Sequence, residues 1–113
     1  IIKKEIQEIH IDKELEEYIV NLIFATRKPQ EYGLNEIEKY LQFGASPRAT
    51  IDMFKAVKAK AYLRGNDYVS PVDIALIFKD VLRHRIILSY EAQALSVNPD
   101  EILQKIIKKV VVP

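Results

Sequence analysis

The chain has 113 residues with 49% hydrophobic and 29% charged side chains, values that fit one compact domain and argue against a disordered or fibrous chain. Lys and Arg number 17 against 16 for Asp and Glu, so the formal net charge of +1 gives no strong pull toward nucleic acid or anionic lipid. Cysteine is absent, which excludes disulfides, thiolate metal ligands and a cysteine nucleophile. The three glycines, Gly33, Gly44 and Gly65, are too dispersed to build a dinucleotide fingerprint or a phosphate-cradling loop.

The start, Ile1-Ile2-Lys3-Lys4-Glu5, is charged at once and lacks the apolar region of a signal peptide. No run approaches the roughly 18 apolar residues of a membrane span. The chain begins without methionine and ends on Val110-Val111-Val112-Pro113, an apolar docking strand or cut edge. Both ends fit a C-terminal domain excised from a longer protein.

Ile6, Ile9 and Ile11 suggest an extended or short helical lead-in. From Asp12 to Arg27, Leu15, Tyr18, Ile19, Leu22, Ile23 and Thr26 recur at helical spacing, which predicts an amphipathic helix with a wide buried stripe. Asp12 is its natural N-cap, Arg27 and Lys28 suit its C-terminal end, and Pro29 stops it. Leu34, Ile37 and Leu41 predict a short helix ending near Gly44. Ser46 as N-cap and Pro47 at the first helical position open the next helix, which runs to Arg64 and is closed by Gly65. Apolar residues surround most of it, with a narrow polar stripe on Arg48, Asp52, Lys55 and Lys58, so it is expected to be central. Phe54 and Val57 on it, with Ile77 beyond, are the expected core.

Tyr68-Val69 reads as a short extended piece. Ser70-Pro71-Val72-Asp73 combines a cap, a proline and an acid three residues on, and starts a helix whose last turn carries Arg83-His84-Arg85. Ile86-Ile87-Leu88 is expected to pair with Tyr68-Val69. A short helix over 90–95 follows, and Asn98-Pro99 opens a last one bearing Ile102, Leu103, Ile106, Ile107 and Val110. The expected fold class is all-α, an orthogonal bundle of five to six helices with at most a two-stranded scrap of sheet.

Few constellations carry chemistry. His10 and His84 are the only imidazoles, and neither has a second histidine at helical metal-ligand spacing, so no metal site is expected. No serine lies in a nucleophile elbow. Glu14, Glu16 and Glu17 read as a solvated face. Arg48 stands out, because a helix dipole disfavours a cation in the first turn by roughly 0.3 to 1 kcal/mol. Placed there, its guanidinium can reach outward and, with the helix end, meet a phosphate. The competing reading is an ordinary surface pair with Asp52 four residues on.

Gly44-Ala45-Ser46-Pro47-Arg48-Ala49 resembles the C-terminal helical lid of the MoxR family of AAA+ ATPases. The resemblance continues through Ala59-Lys60-Ala61, Arg64-Gly65-Asn66-Asp67-Tyr68-Val69-Ser70-Pro71 and Val81-Leu82-Arg83-His84-Arg85-Ile86. Ala25-Thr26-Arg27 and the closing valine-proline also match, so nearly the whole chain is covered. The chain departs from the family pattern at Asn66, a position where the family has arginine after the glycine of the turn.

The resemblance implies one lid domain over 1–113, packed on an αβ nucleotide-binding domain that this chain does not include. Arg48 then corresponds to the sensor II residue at the γ-phosphate, with Ser46 and Pro47 in support, and Arg83, His84 and Arg85 at an interface. ATP and Mg2+ belong to the parent protein, an ATP hydrolase; this fragment is expected to hold neither tightly and to have no hydrolytic activity. The implied partners are the chain's own ATPase domain, neighbouring subunits of a homo-oligomeric ring and protein clients remodelled in a chaperone-like way, with no nucleic acid and no membrane span. A cytoplasmic location follows from the same resemblance. The alternative is a stand-alone helical binding module for protein or nucleic acid, resting on Arg83, Arg85, Lys105, Lys108 and Lys109.

Overall fold

The computed structural model describes residues 4–5, 8–46 and 48–110. The expectations placed on Ile6, Pro47 and the 111–113 tail lie outside them. Six α-helices and one two-stranded antiparallel sheet are present among the described residues, as an all-α bundle requires. They are α1 (Lys13–Arg27), a 3-10 turn (Pro29–Tyr32), α2 (Asn35–Glu38), β1 (Leu41–Phe43) and α3 (Arg48–Leu63). After these come α4 (Pro71–Leu82), β2 (Ile87–Leu88), α5 (Tyr90–Ala94) and α6 (Pro99–Lys109).

Helix α1 buries Leu15, Tyr18, Ile19, Leu22 and Ile23 on the stripe their spacing dictates. Asp12 occupies the N-cap position, yet its carboxylate makes no cap hydrogen bond. Oδ1 instead lies 2.8 Å from His10 Nε2, a competing local partner. Helix α3 ends as Gly65 predicts: Gly65 has φ +79°, its N–H donates to Tyr62 O at 3.0 Å, and Asn66 N–H donates to Ala61 O at 2.9 Å. That paired closure satisfies two carbonyls of the last turn. The central position of α3 is borne out on one face only. Ala49, Met53, Val57 and Ala61 are buried at four-residue intervals, whereas Ile51 and Leu63 stand exposed.

Three expectations need correction. Leu41 does not extend a helix. It opens β1, which pairs with β2 through Leu41 opposite Leu88 and Phe43 opposite Ile87. Ile87-Leu88 therefore does not pair with Tyr68-Val69. Helix α4 carries the chain about 18 Å away from Tyr68, so β2 emerges beside β1. Tyr68 instead forms an isolated parallel bridge with His10 in the lead-in, through His10 N to Asp67 O at 2.9 Å and Val69 N to His10 O at 2.8 Å. Finally, Val57 is fully buried, but Phe54 and Ile77 are only half-buried at the rim of a core filled by Tyr18, Met53, Ile74, Phe78 and Leu82. Their positions face the shallow edges of the α1–α3 and α4–α6 packing rather than its centre.

Candidate functional site

The site is built where the end of α1 holds the start of α3. Thr26 is buried in the last turn of α1; its hydroxyl donates to Ile23 O at 2.6 Å and accepts from Ala45 N–H at 3.0 Å. Gly44 packs so closely on the same turn that a Cβ there would lie 2.2 Å from Thr26 O. Gly44 therefore serves close backbone approach, not the helix termination expected of it. Ala45 and Ala49 are fully buried on either side, and Ala49 N–H donates to Ser46 O at 2.9 Å. The segment leading into α3 is thus fixed at three backbone points before Arg48 is reached.

Arg48 begins α3 and is exposed. Among the described residues it makes no ion pair. Asp52, its candidate partner, lies instead against Arg85, with Arg85 Nη2 2.8 Å from Asp52 Oδ2. The angle leaves Oδ2 without an aligned hydrogen bond. The surface-pair reading of Arg48 therefore loses its acid. Ser46 is exposed next to Arg48, and Pro47 lies outside the described residues. What this geometry can do chemically is receive an oxyanion from outside: an always-charged, planar fork is exposed at the start of a helix, and among the described residues no carboxylate pairs with it.

Arg83, His84 and Arg85 do not form one surface. Helix α4 ends at Leu82, so Arg83 is its C-cap and the other two follow it, just past the last turn in which the sequence places them. Arg83 turns to α6, where Nε donates to Asp100 Oδ1 at 2.7 Å and Nη2 to Asp100 Oδ2 at 3.0 Å; Asp80 Oδ1 lies 3.4 Å away. The hydrogen bonds from Arg83 hold the Asp100 carboxyl below the usual aspartate range. His84 and Arg85 line an open groove of about 710 Å3 with Asp52, Lys55 and Asp80. The basic cluster of the binding-module reading is also dispersed: Arg83 and Arg85 go to different acids, and Lys105 lies 3.9 Å from Glu36.

One organising cluster is not evident in the sequence. Asp73 is fully buried and closes the Ser70 capping box, accepting from Ser70 N and Ser70 Oγ, both at 3.1 Å. Its other oxygen accepts from Arg64 Nη1 at 2.7 Å. The box itself is legible as Ser70-x-x-Asp73; the arginine that reaches it from the end of α3 is not. Among the described residues no grouping of three or more His, Asp or Glu side chains could hold a metal ion, and no helix is long and apolar enough to cross a membrane.

Residues 35–106 match the model of the AAA lid domain family. The chain is similar to the chaperone MoxR1 of Mycobacterium tuberculosis, 40% identical over 99 residues, which are 88% of this chain and 26% of that protein. It is similar to the protein MoxR of Methylorubrum extorquens, 32% identical over 98 residues, which are 81% of this chain and 29% of that one. Among solved structures, a candidate ATPase from Cytophaga hutchinsonii superposes with a TM-score of 0.94 at 44% identity, over 97% of this chain and 33% of that chain. The chain therefore spans between about a quarter and a third of the length of these relatives.

Proposed function

The chain belongs to the AAA lid domain family, and from that premise we propose that it is the C-terminal lid of a MoxR-type ATPase whose Arg48 reads the γ-phosphate of bound ATP. The observation that carries this reading is the state of Arg48. It is exposed, has no acid partner among the described residues, and starts a helix whose approach is fixed by Thr26 and Gly44. A fork held in this way can grip phosphate oxygens brought by a preceding αβ domain, which in this reading supplies the phosphate loop and the Mg2+ ligands. Because the contact forms only when the lid closes on ATP, it couples nucleotide state to lid position. Lid position in turn governs packing against neighbouring subunits of a homo-oligomeric ring, and through the ring the remodelling of protein clients in the cytoplasm. Ser46 contributes its carbonyl to the first turn of α3 and so supports Arg48 indirectly.

The binding-module reading has less support, because Arg83, Arg85 and Lys105 each face an acid of the same chain. Steady-state ATP hydrolysis by the full-length protein tests the proposal. Arg48→Ala should lower kcat by about tenfold to a thousandfold, or about 1.4 to 4 kcal/mol of transition-state stabilisation. Arg48→Lys should recover part of that, and Asp52→Ala should leave turnover near wild type. Wild-type turnover in Arg48→Ala would overturn the assignment.

A further inference from the structure

The outward face of α1 has no place in the nucleotide reading, yet its pattern is self-complementary. Val20 and Phe24 are exposed at 46% and 36% on the side of the helix opposite the buried stripe. One turn before them stand Glu16 and Glu17; one turn after them stand Arg27 and Lys28, and all four are exposed. Among the described residues none of the four is in an ion pair. The face is also held in place. Phe24 packs edge-on against Tyr32 at a centroid distance of 6.4 Å, Tyr32 OH donates to Asn21 Oδ1 at 3.3 Å, and Lys28 Nζ lies 5.9 Å over the Phe24 ring.

The spacing gives the pattern its meaning. Glu16 and Arg27 are separated by eleven positions, as are Glu17 and Lys28. At 3.6 residues per turn, eleven positions amount to about three turns, so Glu16 and Arg27 share an edge of the helix, about 16 Å apart; Lys28 follows as the C-cap, outside the helical geometry at φ −136° and ψ 68°. Val20 and Phe24 lie midway, centred on the level of Leu22. An antiparallel copy related by a twofold axis at that level sets Glu16 against Arg27 and brings Glu17 to the helix end that carries Lys28. Val20 and Phe24 of both copies then meet between them. Antiparallel helix dipoles favour the same arrangement.

We infer that the outer face of α1 is an isologous docking surface for a second copy of this chain, sealed by Val20 and Phe24 and set in register by Glu16–Arg27 pairs, with Glu17 facing the end that carries Lys28. A contact of this kind closes at two copies, so it is distinct from the head-to-tail packing of a ring. A single helix pair falls short of the roughly 1,200 to 2,000 Å2 of a stable interface, so the association is weak, in the micromolar to millimolar range. It uses no part of the Arg48 site and stands or falls apart from it.

Sedimentation velocity of chain 1–113 over roughly micromolar to millimolar concentration tests this. Wild type should show a concentration-dependent dimer that weakens with salt. Glu16→Lys with Glu17→Lys should raise the dimer Kd about tenfold or more, and Arg27→Glu with Lys28→Glu should do the same. Combining all four substitutions should return Kd to within about threefold of wild type. That quadruple variant opposes the α1 dipole at both ends, so recovery of the dimer cannot come from a more stable helix. Far-UV circular dichroism confirms that each variant is folded. A wild-type chain that remains monomeric throughout, or a quadruple variant no better than either double, overturns the inference.

Discussion

Replacing Asp73 by alanine removes a fully buried carboxylate that joins the end of α3 to α4. Three hydrogen bonds to a charged acceptor are lost, from Arg64 Nη1 at 2.7 Å and from Ser70 N and Oγ at 3.1 Å. A bond of this kind contributes about 1.5 to 3 kcal/mol, and three that share one carboxylate are far from additive, while Ser70 Oγ still caps α4 through the N–H of residue 73. The larger penalty for orphaning a buried charge does not apply in full, because the Arg64 side chain is 43% exposed and returns to water. The expected cost is therefore about 2 to 4 kcal/mol, or a fall in Tm of about 8 to 16 °C for a domain of this size. Arg64→Ala leaves the carboxylate buried with only the Ser70 donors and should cost a comparable amount. Because the two side chains touch, the double variant should be less destabilised than the sum of the singles, by about 1 kcal/mol or more. Urea denaturation followed by circular dichroism gives all four corners of the cycle. A cost below about 0.5 kcal/mol for Asp73→Ala, the range of an ordinary surface change, would refute the reasoning.

Gly44→Ala should destabilise by about 1 to 3 kcal/mol, since its Cβ would meet Thr26 O at 2.2 Å and force apart the contact that fixes the approach to α3; thermal melting reads this. Phe78→Ala in the closed core should cost about 3 to 5 kcal/mol, whereas half-buried Phe54→Ala should cost about half as much, measured by the same denaturation. Asp100 has its carboxyl lowered by Arg83, so the stability it contributes is fully present above its ordinary value of 3.8 and is lost as pH falls through the lowered value. Asp100→Asn should flatten the acid limb of the stability profile in a pH series of melts, with little change in its shape above about pH 5.

What could be read from the sequence was local. Ser70-Pro71-Val72-Asp73, Asn98-Pro99 and Gly65 mark helix ends because each cap finds its partner within two or three positions, at Asp73 N, Asp100 N and Tyr62 O. Asp12 failed as a cap because His10, equally local, competes for the same oxygen. Leu34, Ile37 and Leu41 have helical spacing, yet Leu41 is drawn into a strand by Leu88, a partner no local pattern reveals. Arg48 was conspicuous because a cation in a first turn opposes the dipole. The contact that holds its approach, Thr26 to Ala45, and the one that takes Asp52 away from it, Arg85 to Asp52, join separate elements and become visible only in the folded chain.

The proposed role of Arg48 is a contact to one phosphate, and nucleotide affinity tests it most directly. Isothermal titration of the full-length protein with a non-hydrolysable ATP analogue and with ADP, for wild type and Arg48→Ala, separates that phosphate from the rest of the nucleotide. The account predicts that the analogue binds Arg48→Ala about tenfold more weakly, about 1.4 kcal/mol, while ADP affinity stays within about twofold. Equal losses for both nucleotides, or no loss for either, would contradict it.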